Sequence, residues 1–537
     1  MELNSSEKPI TAGSILPVST TSTDVESLEK PTEEWKPHKK EWFIMISLSL
    51  ISLMVSLDAT ILVTVLPVRH ILVPLALNGT SVDAFWAGTS YLLSSAVFQP
   101  VIASVSEFFG RQQMLLFSLT FFTVGTALCA AANDFTVMLT GRTIQGIGGG
   151  GIITLCQVIF CDIVPLRQRP KYFSIVLGAW SIGTIVGPVI GGALVEHTTW
   201  RWVFIINFPF CVLGFILAFL FVRLNTMAKM TLAQKLKSTD WIGAALFVGG
   251  MTSFLIQYKW VSVQTLAPIM IGLIGVVVFV GWQIWMKPKS LLPMSIFYCP
   301  SALAAFYCAL MSGLVLFTSL YYIPFYCMSV RGASSTKAGI DIFPALFLFI
   351  PGSIIVAGLT TRLGRFRWSI WVGWAISTLG CGLMLLFGLH TTTAVFAIVL
   401  AVFGIGSGMV VTGVNVGIQA ISKVEDAAMA ACMYGFMRSL GMPLGVALSG
   451  TIFQNAMSNK LSAYGLSTSI AQDSERYVYI LRTLDETTRT PILESYMHGF
   501  RALFVMMTCV SASTLTVSLV IKKFDMNKTL LSKYSAR

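Results

Sequence analysis

The chain has 537 residues, 55% of them apolar and 11% charged, with 36 Lys and Arg against 24 Asp and Glu. Soluble domains carry about 25% charge and single cores stop growing near about 300 residues, so a mean hydropathy of +0.77 leaves too little polar surface and excludes a soluble protein. The net charge of +12 suits either a polyanion or the inner loops of a membrane protein, and the placement of the charges decides between them.

Residues 1–40 are rich in Ser, Thr, Pro, Glu and Lys without periodicity or a signal-peptide run, and are expected to form a disordered cytoplasmic tail. Fourteen apolar stretches follow, at about 43–66, 84–106, 113–132, 136–160, 172–195, 201–222, 241–258, 266–286, 302–326, 340–360, 369–389, 394–418, 428–454 and 499–521. Each is long enough, at about 1.5 Å per residue, to cross a hydrocarbon core of about 30 Å. They predict an all-α polytopic membrane protein with 14 transmembrane helices. An even number puts both termini on one side; with that side inside, inner flanks carry 22 Lys or Arg and outer loops about nine, four of them in a long outer loop at 455–498. Both termini are therefore expected in the cytoplasm, and the basic excess needs no nucleic acid. Trp42, Trp86, Trp200, Trp202, Trp241, Trp260, Trp282, Trp285 and Trp368 fall near span ends, where interfacial belts place them.

The ten cysteines contain no CxxC pair and read as small hydrophobes; the five histidines lie in flanks and loops, so neither a metal site nor a cofactor is expected. Of three Asn-x-Ser/Thr sequons, at Asn4, Asn78 and Asn527, only Asn78 falls in an outer loop as a glycosylation candidate. Residues 146–151 spell GxGxxG, but within an apolar helical run that no strand precedes, and no Gly-Lys pair exists for a Walker loop. Neither supports nucleotide binding.

An offset near 257 recurs. Pro67 matches Pro324, Gly110-Arg111 matches Gly364-Arg365, Gly146, Gly148 and Gly150 match Gly404, Gly406 and Gly408, and Gly183 and Gly187 match Gly441 and Gly445. Spans 1–6 thus correspond to spans 9–14, with spans 7 and 8 inserted, an organisation common in transporters. The expected divisions are a six-helix half at 41–225, a linker with two extra helices at 226–295, a second half at 296–523, and a tail at 524–537.

Three ionisable residues lie deep in spans: Asp58, Arg142 and Arg438. A charge at the bilayer centre costs about 2.5–3.5 kcal/mol on insertion scales, yet the repeat replaces Asp58 with about Val315 and Arg142 with Leu400. The charges are therefore not scaffold. Span directions bring both to similar depth below the outer surface, so Asp58 and Arg142 are expected to pair facing a central cavity, with Gln145 grouped beside them. Such an acid can exchange a proton when its surroundings change; a static ion pair is the plainer alternative. Arg438 contacts either cargo or only its packing neighbours. Glu107 and Arg111, in a turn pinned by Gly110, suit a clasp between inner helix ends, or merely a solvated turn. In span 5, Gly183, Gly187, Gly191 and Gly192 permit close helix packing, and Pro188 permits a bend suited to a gate.

These residues resemble the major facilitator superfamily, specifically the fourteen-spanner drug:proton antiporters common in fungi, over about residues 42–521. LDATILVTVLP (57–67) is similar to the family's first-span motif, GRTIQGIGGG (141–150) to the fourth-span motif, GTIVGPVIGG (183–192) to the antiporter motif and WRWVFIINFP (200–209) to the sixth-span opening. The loop between spans 2 and 3 departs from the family, with Ala103, Glu107 and Phe108 where glycine, aspartate and arginine are usual. The resemblance implies a monomeric cell-membrane pump that exports small, largely apolar organic molecules such as toxins or secondary metabolites in exchange for protons, by alternating access; vacuolar or vesicle membranes are further sites. An importer on the same fold would differ in direction. A membrane sensor or intramembrane enzyme would need a long signalling domain or a catalytic cluster in the bilayer, and the sequence offers neither.

Overall fold

The computed structural model describes residues 36–77, 81–223, 231–255, 263–286, 291–481 and 484–526. Asn78, Asn4, Asn527 and residues 1–35 of the tail lie outside them. Every regular element among the described residues is helical, as lipid demands of a backbone that must satisfy its own N–H and C=O groups within one segment.

The first six spans are α1 (Lys39–Leu77), α2 (Ser81–Phe109), α3 (Arg111–Ala131), α4 (Phe135–Ile163), α5 (Arg169–His197) and a broken span of α6 (Trp202–Ile205) and α7 (Asn207–Phe221). The short α8 (Leu232–Ser238) leads to the inserted pair, α9 (Trp241–Leu255) and α10 (Val263–Trp285). The second six begin with α11 (Pro300–Ser329) and α12 (Ser335–Asp341), which runs into α13 (Phe343–Leu363). They end with α14 (Arg367–Leu383), α15 (Thr393–Ile421), α16 (Ala427–Ala463), the short α17 (Ser469–Gln472) and α18 (Ser474–Ile480), and α19 (Glu486–Ser518). Among the described residues thirteen helices are long and apolar enough to span a membrane, and α9 supplies a shorter fourteenth apolar helix. Lys39 and Ser518 mark one face of the bundle, the terminal face; the opposite one is the far face.

Two expected boundaries are corrected. Helix α1 continues from the predicted end at 66 to Leu77, and the expected outer loop 455–498 is largely helical, because α16 runs to Ala463, α19 starts at Glu486, and α17 and α18 lie between. A hydropathy window senses the apolar slab, whereas the i to i−4 ladder carries on past it wherever side chains permit.

The repeat is visible in the packing. Helix α1 lies on α5 as α11 lies on α16; α4 packs between α2 and α3 as α15 packs between α13 and α14. Matched glycines make these contacts. A Cβ on Gly146 would stand 2.5 Å from the Tyr91 carbonyl oxygen and one on Gly150 2.1 Å from that of Ser95; at the counterparts, Gly404 and Gly408, the distances are 2.0 Å to Ala345 and 2.1 Å to Phe349. Backbones that approach this closely gain van der Waals contact in lipid, where no hydrophobic force drives helices together.

The inserted pair holds itself together differently. Buried Asp240 accepts from the Gly243 amide at 2.8 Å, Trp282 Nε1 at 3.0 Å and Gln283 Nε2 at 2.9 Å. Helix α10 exposes Ile271, Ile274 and Val277, an apolar surface suited to lipid. Eight of the ten cysteines are buried, and all ten are free thiols.

Candidate functional site

Asp134 caps the start of helix α4, its carboxylate accepting from the Val137 amide at 2.8 Å. That start fixes a register in which Arg142 and Gln145, one turn apart, share a face. Gly125 of α3 lets this face come close, since a Cβ there would sit 2.3 Å from the Gln145 nitrogen.

Across from it α1 places Asp58. Arg142 Nη1 donates to Asp58 Oδ2 at 3.0 Å, while Gln145 Nε2 at 2.9 Å and Asn207 Nδ2 at 2.7 Å donate to Oδ1. Every contact gives a hydrogen to the acid, the pattern that suits an ionised carboxylate, which accepts on both oxygens and donates nothing. The network extends further. Arg142 Nε donates to the Ala87 carbonyl at 3.1 Å, its Nη1 also reaches Gln145 Oε1, and Gln145 Nε2 donates to Thr126 Oγ1 at 2.9 Å. Tyr91 lies beneath the guanidinium, 4.3 Å from Cζ to ring centroid.

Asp58 is 0% and Arg142 1% exposed. Their hydrogen-bond partners come from α2, α4 and α7, and Gln145 is tied in turn to α3, all of the first half. In this conformation the pair is buried among side chains of the first half. Arg142 lies about 10 Å from the start of α4 on the far face, at 1.5 Å per residue.

Helix α5 carries the glycine run. A Cβ on Gly183 would meet Ser56 Oγ at 2.0 Å, on Gly187 Thr60 Oγ1 at 2.3 Å, and on Gly191 the Ile61 carbonyl at 2.2 Å. These three therefore seat α5 on α1, next to Asp58. Gly192 turns toward the second half, where a Cβ would lie 2.8 Å from the Thr336 nitrogen of α12, and a Cβ on Gly339 would lie 3.0 Å from the Pro188 carbonyl carbon. The halves thus meet at the far face through Pro188 and Gly192.

They also meet toward the terminal face. Arg169 at the start of α5 donates from Nη1 to Gln419 Oε1 of α15 at 2.8 Å, from Nε to the Val164 carbonyl at 2.9 Å and from Nη2 to that of Cys161 at 2.7 Å. Between these ends, Gln99 Nε2 of α2 donates to Ser439 Oγ of α16 at 2.8 Å. Arg438, next to Ser439, stacks over Trp180 of α5 with Cζ 4.5 Å from the ring centroid.

In the turn between α2 and α3, Gly110 has φ of 102°, a conformation open to glycine but strained for other residues. Arg111 follows it, buried, and its Nε donates to Asp162 Oδ2 at 3.2 Å, tying the start of α3 to the end of α4. Arg111 Nη1 also reaches the Ala103 carbonyl at 3.2 Å and Ser106 Oγ. Glu107 stands 3.9 Å from Arg111 with its side chain 48% exposed. The buried acid of this clasp is therefore Asp162, not Glu107.

Asn207, Thr126, Asp162, Trp180, Gln99 and Arg169 are not among the candidates that stand out in the sequence. Some signals were present. Asn207 is an amide in the apolar run 201–222, and Trp180 is a mid-span indole away from the interfacial belts.

The chain matches the Major Facilitator Superfamily over residues 48–446. It is 38% identical over 518 residues to MFS transporter L2 of Phoma sp., covering 94% of this chain and 86% of the relative. It is 31% identical over 431 residues to MFS efflux transporter aclA of Aspergillus oryzae, covering 78% and 77%. The solved human organic anion transporter MFSD10 aligns with a TM-score of 0.58 at 14% identity, over 90% of this chain and all of that one, a likeness of fold alone. Two glycine-knit halves, a match over most of the chain and relatives at this identity lead to one assignment: the chain is a multi-pass membrane transporter that belongs to the Major Facilitator Superfamily.

Proposed function

We propose that the protein exports small, largely apolar organic molecules, secondary metabolites or toxins, in exchange for protons, with Asp58 as the proton-carrying group. The observation that carries the proton role is the buried knot of Asp58 with Arg142, Gln145 and Asn207, absent from the matched positions of the second half. Export is supported by relatives named as efflux transporters, such as that of Aspergillus oryzae.

Protonation of Asp58 would cancel its attraction for Arg142 and turn one acceptor oxygen into a donor facing donors, loosening α1 from α4 and α7. Helix α1 is seated on the α5 glycines, and α5 carries the far-face contact through Pro188 and Gly192. A change at Asp58 therefore has a packed route to that closure. Because the acid lies nearer the far face, opening there would let it equilibrate with outside protons, provided the termini are cytoplasmic as the Lys and Arg distribution supports. Inward proton movement supplies about 2.3 kcal/mol per 100 mV plus the pH gradient. The pump is read as a monomer in the cell membrane.

The test is efflux of a loaded hydrophobic dye from proteoliposomes, with and without an imposed pH gradient. Gradient-dependent efflux by the wild type and its loss in Asp58→Asn supports the reading; efflux by the variant that still follows the gradient leaves the ion pair a static one. Growth on a toxic compound separates directions, since loss of an exporter sensitises cells and loss of an importer protects them.

A further inference from the structure

At the seam between the halves lies a second charge that the proton mechanism does not use. Arg438 lies 11 residues beyond Ala427, the first of α16, and Trp180 lies 11 residues beyond Arg169, the first of α5. At 1.5 Å per residue both stand about 16 Å from the terminal face, near the middle of a hydrocarbon core of about 30 Å. Arg438 is 7% exposed, and its Nε and Nη2 are buried without a hydrogen-bond partner. A guanidinium holds five donors and stays charged. Its stacking on Trp180 supplies attraction to a ring face but no acceptor.

Two unpartnered acceptors accompany these donors. Gln99 Oε1 of α2 and Gln157 Oε1 of α4 are buried with no hydrogen-bond partner. Both lie beside Gly435, one turn before Arg438 on α16, where a Cβ would sit 3.3 Å from the first and 3.2 Å from the second. Gln99 is further tied to Ser439. The seam thus presents a fixed cation, an indole and two amides contributed by both halves, and the acid Asp58 is engaged with Arg142 inside the first half. Buried polar groups without partners are costly, and donors and acceptors gathered within one turn of a helix at the seam are ones a ligand can satisfy.

Resting on the exporter reading, we propose that Arg438 and Trp180 form the cargo-recognition site and that the cargo is an organic monoanion with an apolar or aromatic body, a carboxylate or an acidic enol. The anionic oxygens pair with Nε and Nη2 of Arg438 as a two-toothed acceptor, the hydrocarbon body lies along Trp180, and Gln99 and Gln157 accept from the cargo's hydroxyl groups. Because Arg438 and Trp180 belong to different halves, bound cargo bridges them. Exchange of one such anion for one proton moves two elementary charges per cycle, against one for a neutral cargo.

The experiment is equilibrium dialysis of the full-length protein in lipid nanodiscs against 1-naphthylacetate and its uncharged isostere 1-naphthylacetamide. The wild type is expected to bind the carboxylate about ten-fold or more tighter than the amide, the range of a charge-assisted hydrogen bond. Arg438→Gln should erase the preference by weakening carboxylate binding about ten-fold or more, with a cooperative thermal unfolding transition in the nanodisc reporting an intact fold; Arg438→Lys should keep part of it. Trp180→Leu should weaken both probes. Equal binding of the two probes by the wild type, saturable binding of neither, or a preference that survives Arg438→Gln would each overturn the proposal. Dye efflux under a pH gradient is read separately: its absence counts against proton-coupled export, whereas its presence without a carboxylate preference counts against the anion site alone.

Discussion

Asp58 and Arg142 stand or fall together, and a double-mutant cycle measures by how much. In Asp58→Asn the side chain offers one acceptor oxygen where Asp58 offers two, and its amide hydrogens must face Arg142 on one side or Gln145 and Asn207 on the other. Arg142, 1% exposed, also loses its counter-charge. Removing one member of a buried ion pair costs about 3–5 kcal/mol, a factor of about 10² to 10⁴ in the folded-to-unfolded ratio. Arg142→Gln should cost a similar amount by leaving the carboxylate on amide donors alone. The double variant Asp58→Asn/Arg142→Gln carries no buried charge at this site, so it should fall well short of the sum, with an interaction energy near the upper end of the usual range of about 0.5–3 kcal/mol. Tryptophan fluorescence of the purified protein during SDS titration from mild detergent gives the four stabilities. Additivity within about 0.5 kcal/mol would refute the reasoning, because side chains bonded to each other in a dry site cannot be independent.

Other consequences follow from the same geometry. Asp162→Asn should destabilise by several kcal/mol in that titration, because it removes the buried counter-charge of Arg111, whereas Glu107→Gln should cost under about 1 kcal/mol because its carboxylate is half in solvent. Gly187→Ala should cost about 1–3 kcal/mol by pushing α5 from Thr60, while Gly178→Ala on the same helix, where a Cβ would meet nothing within 4 Å, should gain up to about 1 kcal/mol from helix propensity. Gln419→Ala removes the cross-half acceptor of Arg169 and should open the terminal face more often. Maleimide labelling of buried Cys161, whose thiol points to Gln419 Oε1 at 3.4 Å, should then run several-fold faster by peptide mass spectrometry, and an unchanged rate would show that this contact does not hold the closure.

The order and number of spans were legible because lipid imposes a length and a polarity that hydropathy reads directly. The repeat was legible through glycines, since positions that must be small leave few substitutes. Asp58 and Arg142 stood out because charges in apolar runs are expensive. Which way the pair faces was not legible: that depends on the rotation of α1 and α4 about their axes and on Asn207 and Thr126, uncharged residues that stand out far less in a hydropathy profile. Asp162 was hidden for a different reason. At the last turn of α4 an acid looks like one more interfacial charge, and only the placement of Arg111 beside it, through the positive-φ turn at Gly110, makes it a buried partner. The polar extensions of α16 and α19 escaped because a helix outside the hydrocarbon slab carries no apolar signature.

Proton flux in proteoliposomes decides whether Asp58 carries the coupled proton. With a pH-sensitive dye sealed in the lumen and a steep gradient of a transported dye imposed across the membrane, the wild type should move protons against the dye. Asp58→Asn should move none, yet should still exchange labelled for unlabelled dye, because alternating access remains. Dye-driven proton movement by Asp58→Asn at the wild-type rate would contradict the mechanism outright.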